Sequence, residues 1–198
     1  MPVDDIPGYR GVIADEWFER APRVPMTKNV TRSVLISLLS PLEGQFVLEV
    51  GSGTGAMTVE LSRAAGRSGR VTSVEISLIA AGLTKRNLER ASLLDRATVI
   101  HGKAPEHIPG ETFDAVFIGG HGSELEAIIG ACAERMNRGG RLALTSISPR
   151  TTDRSITFLE NTGFRVGLWR LHSSCGHKTD GDWIILGNNP VDVIWGDR

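Results

Sequence analysis

The feature that most restricts the fold is a short, mostly apolar run, Phe46-Val47-Leu48-Glu49-Val50, that stops at Gly51-Ser52-Gly53-Thr54-Gly55. A β-prone run bounded by glycines reads as a buried parallel strand ending in a tight turn. Glycine serves such a turn twice. It reaches backbone angles that other residues avoid, and its missing Cβ lets a ligand come close to the main chain. Met57 to Ala65 then has helical character, so amide N–H groups at that helix start face whatever sits above the strand. The pattern predicts a nucleotide-type binding loop.

From Phe46 onward, strand and helix signals alternate. Arg70 to Glu75, Ala97 to His101, Phe113 to Ile118 and Arg141 to Thr145 read as strands, the last entered through a turn at Asn137-Arg138-Gly139-Gly140. Leu78 to Leu93, Ser123 to Met136 and Thr151 to Asn161 read as helices, with Ser123 as an N-cap and Gly163 as a stop. Alternation of this kind implies crossover units and a mostly parallel sheet with helices on both faces, an α/β architecture. The end of the chain departs from it. Phe164 to Leu171 and Trp183 to Leu186 read as two strands joined by a polar loop, an antiparallel pair at one edge.

Residues 1–25 carry four of the nine prolines and little periodicity. They read as an N-terminal arm with at most a short helix around Asp15 to Glu19, laid over a single domain spanning 26–198. Thr27 is placed to cap a helix in which Val30, Val34, Leu35, Leu38 and Leu39 form one apolar stripe, ended by Pro41. The formal net charge of −1 gives no reason to expect a nucleic-acid-binding face. No apolar run approaches the roughly 18 residues of a membrane span. Cys132 and Cys175 fit neither a disulfide framework nor a CxxC site. The expectation is a cytoplasmic protein with a small-molecule partner, not a nucleic acid or a membrane.

With Ala56, the glycine loop also satisfies G-x-G-x-x-A, the dinucleotide fingerprint. Glu75, at the end of the second strand, suits any nucleotide with a ribose, because a carboxylate there accepts hydroxyl hydrogen bonds. Three details favour S-adenosylmethionine over NAD(P). Glu49 opens the loop, where its carboxylate could face a cationic ligand group and would repel a pyrophosphate. His101-Gly102-Lys103-Ala104-Pro105-Glu106 contains a Gly-x-Ala turn suited to lie flat on an adenine ring. Phe113 to Ile118 runs into Gly119-Gly120, which leaves room for a methyl acceptor. His121 follows at the end of that strand, where sites of α/β sheets lie, and is a candidate acceptor contact rather than a certain catalytic residue. Asp114, Met57 and the Ile128-Ile129 pair read as structural.

Gly11-Val12-Ile13-Ala14-Asp15-Glu16-Trp17-Phe18 and Val24-Pro25-Met26-Thr27-Lys28 resemble the N-terminal segment of the decarboxylating cobalt-precorrin-6B C(15)-methyltransferases of cobalamin biosynthesis. So do Leu48 to Gly55, Ala104-Pro105-Glu106, Ile118-Gly119-Gly120 and Asn189-Pro190-Val191, in matching order across roughly residues 11–196. The resemblance implies a Rossmann-like class I methyltransferase sheet of seven strands with an antiparallel final strand, and a homotetramer. It implies cofactor contacts at Thr27, Gly51, Ser52, Gly53, Thr54, Gly55, Glu75 and Ala104, beside the Glu49 contact argued above. It also implies that a tetrapyrrole carbon is methylated while an acetate side chain loses carbon dioxide. Two places depart from the family pattern: Lys103, where an acid is usual, and the loop Leu171 to Lys178. A methyltransferase of another small metabolite shares every cofactor motif, and an NAD(P) oxidoreductase shares the glycine loop.

Lys28 and Arg32 stand at i and i+4 on one helix face, either to hold substrate carboxylates or as a solvated face. His172, Cys175 and His177 are metal-ligand types without an evident fourth member, and a polar hairpin loop explains them as well. No metal site is expected.

Overall fold

The computed structural model describes residues 11–198, so the first ten residues of the expected arm lie outside the described residues. Five parallel strands form the centre: β1 (Phe46–Val50), β2 (Arg70–Glu75), β3 (Ala97–His101), β4 (Phe113–Ile118) and β5 (Met136–Ser146). Val50 pairs with Val74 on one side and Ile118 on the other, which brings the carboxyl ends of β1, β2 and β4 level. The Asn137–Gly140 stretch is not a turn before β5. It is an irregularity within β5, where Phe113 pairs with Met136 and the next pair is Ala115 with Arg141. The extra residues bulge from the ladder, with Gly139 at a φ of 80°.

Helices α1 (Asn29–Leu39), α2 (Ala56–Ala65), α3 (Leu78–Arg90), α4 (Leu125–Glu134) and α5 (Pro149–Asn161) cover the sheet. Alternate residues of each strand feed opposite layers. Leu48, Val116 and Leu142 pack with Ile128, Ile129 and Cys132 of α4 and Leu159 of α5. Val47, Val71, Ala115 and Ala143 pack with Leu35, Leu38 and Leu39 of α1 and Met57 and Leu61 of α2. Burial on both faces is why these strands are apolar almost throughout. The helix starts are displaced from their expected caps. Lys28 rather than Thr27 occupies the N-cap of α1, and Glu124 rather than Ser123 that of α4, neither with a side-chain capping bond.

The C-terminal pairing differs from expectation. β6 (Arg165–Leu171) does not pair with the Trp183 run; its partner is β9 (Val191–Asp197), which inserts antiparallel between β5 and β6. The seven strands run in the order β3-β2-β1-β4-β5-β9-β6. The Trp183 run is β8 (Trp183–Gly187), which forms a separate hairpin with β7 (Ser174–Lys178). Trp183, Ile184, Ile185 and Leu186 are all exposed there. An apolar run announces a strand but not its partner.

The described part of the arm is packed, not loose. A 3-10 turn at Asp15–Trp17 leads Ile13, Trp17 and Phe18 against Val59 of α2 and Leu88 of α3.

Candidate active site

The level ends of β1, β2 and β4 open into a cavity of about 360 Å³. It lies where the sheet order reverses direction between β1 and β4, the place where open α/β sheets bind ligands. Gly51, Gly53, Glu75, Ala104, Gly119, Gly120 and His121, all singled out in the sequence, line it together.

Glu75 lines this cavity. Its Oε2 accepts the Gly53 amide at 2.9 Å and its Oε1 accepts the Ser77 amide at 2.9 Å. The two bonds fix the carboxylate and leave each oxygen a further lone pair. The residue is 7% exposed, so a hydroxyl reaching those lone pairs meets a positioned anion in a largely apolar recess. Such a charge-assisted bond is worth roughly 1.5–3 kcal/mol.

The glycines of the loop make room for the protein itself. A Cβ on Gly51, at φ +81°, would stand 2.7 Å from the Gly120 amide nitrogen. One on Gly53, at φ +55°, would stand 2.5 Å from the Pro25 carbonyl oxygen, which also accepts the Thr54 amide at 3.1 Å. The arm is therefore latched onto the loop, and Arg23, Val24 and Pro25 form a cavity wall. That wall escapes sequence reasoning because nothing local in an exposed proline-rich stretch says where it lands.

His121 lines the cavity and is half-buried, with Nδ1 2.8 Å from the Gly122 carbonyl. A carbonyl only accepts, so that bond places the proton on Nδ1 and leaves Nε2 available. Lys103, at the rim, meets Glu124 at 3.3 Å and Glu106 at 3.7 Å. Ile76 and Ser77, which follow Glu75, also line the cavity.

Several expected site residues do not reach it. Ser52 is buried with its hydroxyl on Thr84 Oγ1 at 2.8 Å, and the buried Thr54 gives its carbonyl to Asn87 Nδ2 at 2.8 Å. Gly55 caps α2 and packs on Thr84. Glu49 is wholly buried beside the loop and is not part of the cavity wall. Its Oε2 accepts the Thr58 hydroxyl at 2.5 Å, while Oε1 has no partner among the described residues. Burial pushes its carboxyl from 4.5 up to about 7; Thr58 and Ser73 pull it down and the charge of Glu75 pushes it further up. The Ser73 hydroxyl is near enough to be felt but makes no hydrogen bond of its own among the described residues.

The Lys28–Arg32 pair divides: Lys28 stays exposed to solvent, whereas Arg32 turns inward. Arg32 is completely buried. Its Nη1 donates to Asp15 Oδ1 at 2.8 Å and the Thr27 carbonyl at 2.5 Å, and its Nη2 to the Ile13 carbonyl at 2.5 Å. The guanidinium also lies 4.9 Å from the Phe18 ring centroid. Lys28 approaches Asp15 at 3.7 Å. Arg32 holds the arm, and Thr27 serves it with a backbone carbonyl, outside the cavity wall. The i, i+4 spacing correctly puts the two on one face; what that face meets depends on residues 13–18. Cys175 and His177 lie in β7, and His172 precedes that strand.

The model of the precorrin methyltransferase domain matches residues 16–177. The chain is 35% identical to a Saccharolobus solfataricus protein described as a probable cobalt-precorrin-6B C(15)-methyltransferase (decarboxylating), over 98% of this chain and 96% of that one. The structure of precorrin 8W decarboxylase from Methanobacterium thermoautotrophicum matches with a TM-score of 0.88 at 31% identity, covering 93% of this chain and 99% of that one. The structure of precorrin-6y C5,15-methyltransferase from Geobacter metallireducens matches with a TM-score of 0.87 at 27% identity, covering 94% and 96%.

Proposed function

The chain belongs to the precorrin methyltransferase family, and on that premise we propose that it transfers a methyl group from S-adenosylmethionine to a ring-bridging carbon of a precorrin or cobalt-precorrin, with loss of an acetate carboxyl as carbon dioxide. This is a step of cobalamin biosynthesis. The observation that carries the donor half is Glu75, pinned by the amides of Gly53 and Ser77 with lone pairs left over. The residues present fit the donor. Glu75 takes the ribose hydroxyls, Ile76 and Ala104 border the adenine, and the Gly51 backbone borders the amino-acid tail. A cavity of about 360 Å³ lies within the range of small-molecule sites. When bound, the donor supplies an electrophilic methyl carbon on a sulfonium.

The chain's own task is largely geometric. Gly119 and Gly120 keep the cavity mouth open, so that an electron-rich carbon can line up behind the methyl group. Holding the two partners in line supplies roughly 7–11 kcal/mol of the barrier. Such a nucleophile needs no deprotonation, so His121 contacts and orients the acceptor without acting as an indispensable base. In the second half the bond to the acetate carboxyl breaks, carbon dioxide leaves, and the electron pair passes into the conjugated macrocycle. The protein excludes water and neutralises carboxylates around it.

The protein is further read as a cytoplasmic homotetramer. The exposed Trp183, Ile184, Ile185 and Leu186 of the β7–β8 hairpin support self-association, since apolar exposure on that scale marks an interface. Two free cysteines and the absence, among the described residues, of any helix long and apolar enough to cross a membrane are compatible with that placement. The test of function is incubation with methyl-labelled S-adenosylmethionine and cobalt-precorrin-6B, read by mass spectrometry. Gain of one methyl with loss of one carboxyl is expected. Methyl gain alone would remove the decarboxylation, and no transfer would remove the acceptor. NADH binding in place of S-adenosylhomocysteine would overturn the reading at its root.

A further inference from the structure

A second cleft, of about 340 Å³, lies on the same edge of the sheet as the donor cavity. Its walls come from the carboxyl ends of β5 and β6 and the start of β9, and include Ile147, Arg170, His172, Asn189 and Asp192. The register fixes where it stands. Ile118 of β4 is level with Leu144 of β5, Ser146 pairs with Asp192, and Asp192 pairs with Arg170. Arg170 is thus three strand spacings from the end of β4, about 14 Å at about 4.8 Å per strand.

Arg170 is set for use rather than consumed. Its Nε and Nη2 donate to the two carboxylate oxygens of Asp192 at 2.7 and 2.9 Å. Asp192 is 4% exposed and also accepts the Thr152 hydroxyl at 2.7 Å, so the anchor is rigid. The remaining guanidinium nitrogen, Nη1, makes no hydrogen bond among the described residues, and the side chain is about half exposed. His172, two residues on, lies in the same cleft. Between this cleft and Gly119–His121 stands Ile147, 75% exposed at the end of β5, an apolar side chain with nothing over it.

We propose that this cleft holds peripheral carboxylates of the acceptor, with Arg170 and His172 as the binding groups and Ile147 as the apolar step that the macrocycle crosses. The proposal rests on the tetrapyrrole reading above and deepens it. Distance sets the acceptor class: a small metabolite docked at Gly119–His121 does not reach Arg170, whereas a macrocycle bearing several carboxylate arms touches both. The bland alternative is that Arg170–Asp192 merely ties β6 to β9.

The two are separated by steady-state kinetics on cobalt-precorrin-6B. The variants are His172→Gln and the double variant Arg170→Gln/Asp192→Asn, which removes both charges so that no buried carboxylate is stranded. Each should raise KM for the tetrapyrrole roughly tenfold or more, the ordinary worth of a charge-assisted hydrogen bond. The kcat should stay within about threefold and S-adenosylhomocysteine affinity should be unchanged. If the parent enzyme turns over cobalt-precorrin-6B and both variants keep its KM, the subsite is refuted while the activity stands. A parent that transfers no methyl refutes the activity and the subsite with it. Should the double variant fail to fold, the solvent-exposed His172→Gln decides by itself.

Discussion

Replacing Glu49 by Gln should stabilise the protein increasingly as pH rises from about 4.5 to about 7, and fully above that. The carboxyl titrates near 4.5 when the chain is unfolded and near 7 in the fold, chiefly because burial penalises its charge. Below pH 4.5 both states are protonated and the shift costs nothing. Between pH 4.5 and about 7 the unfolded chain releases a proton that the fold retains, so stability falls as pH rises; above 7 the loss is complete. At about 1.4 kcal/mol per pKa unit, the full loss is roughly 3 kcal/mol. Gln carries no charge, keeps an acceptor for the Thr58 hydroxyl, and places a donor where, among the described residues, Oε1 now has no partner and Ser73 Oγ is unpaired. Denaturant unfolding of parent and variant, followed by fluorescence at pH 4.5 and pH 8, reads the difference directly. Equal stability at the low pH and a gain approaching 3 kcal/mol at pH 8 are expected, or roughly 6–12 °C in Tm for a chain of this size. A variant destabilised equally at both values would refute the reasoning, because it would mean that Glu49 is held ionised throughout by contacts that Gln cannot replace.

Glu75→Gln should weaken S-adenosylhomocysteine binding by at least about tenfold in calorimetric titration, since one anionic acceptor is lost. Binding within twofold of the parent would show that the ribose is held elsewhere. Arg32→Met should cost about 3–5 kcal/mol, because it removes the closest cation from the part-buried Asp15 and leaves the carbonyls of Ile13 and Thr27 without this donor. Scanning calorimetry should show Tm falling by about 10 °C, and a loss below 1 kcal/mol would mean that the arm is not clamped through this residue.

The donor cavity was legible at the level of single motifs. The strand-to-glycine stop, the carboxylate closing β2, and Ala104 and Gly119-Gly120 after β3 and β4 all assemble where the pattern places them. They were readable because each is local: a turn needs particular residues at particular offsets, and parallel strands of similar length bring their ends level. The loop's neighbours were not readable in the same way. Ser52, Thr54 and Gly55 share the motif but pack against α3, and Glu49 turns toward Thr58, because a strand's alternation sends adjacent residues to opposite sides.

What the sequence determined by itself, then, is the alternating α/β order, the parallel strands up to β5, and the turn that opens the cavity. These follow from hydrophobic period and turn chemistry within a few residues. Only the tertiary structure decided that β9 rather than β8 lies beside β6, that Arg32 faces inward to grip the arm, and that Pro25 closes over Gly53. The physical reason is the same for all three. A stretch of chain states how much of itself it must bury or pair, but the partner that satisfies it stands far away along the chain, and is chosen by the packing of the whole.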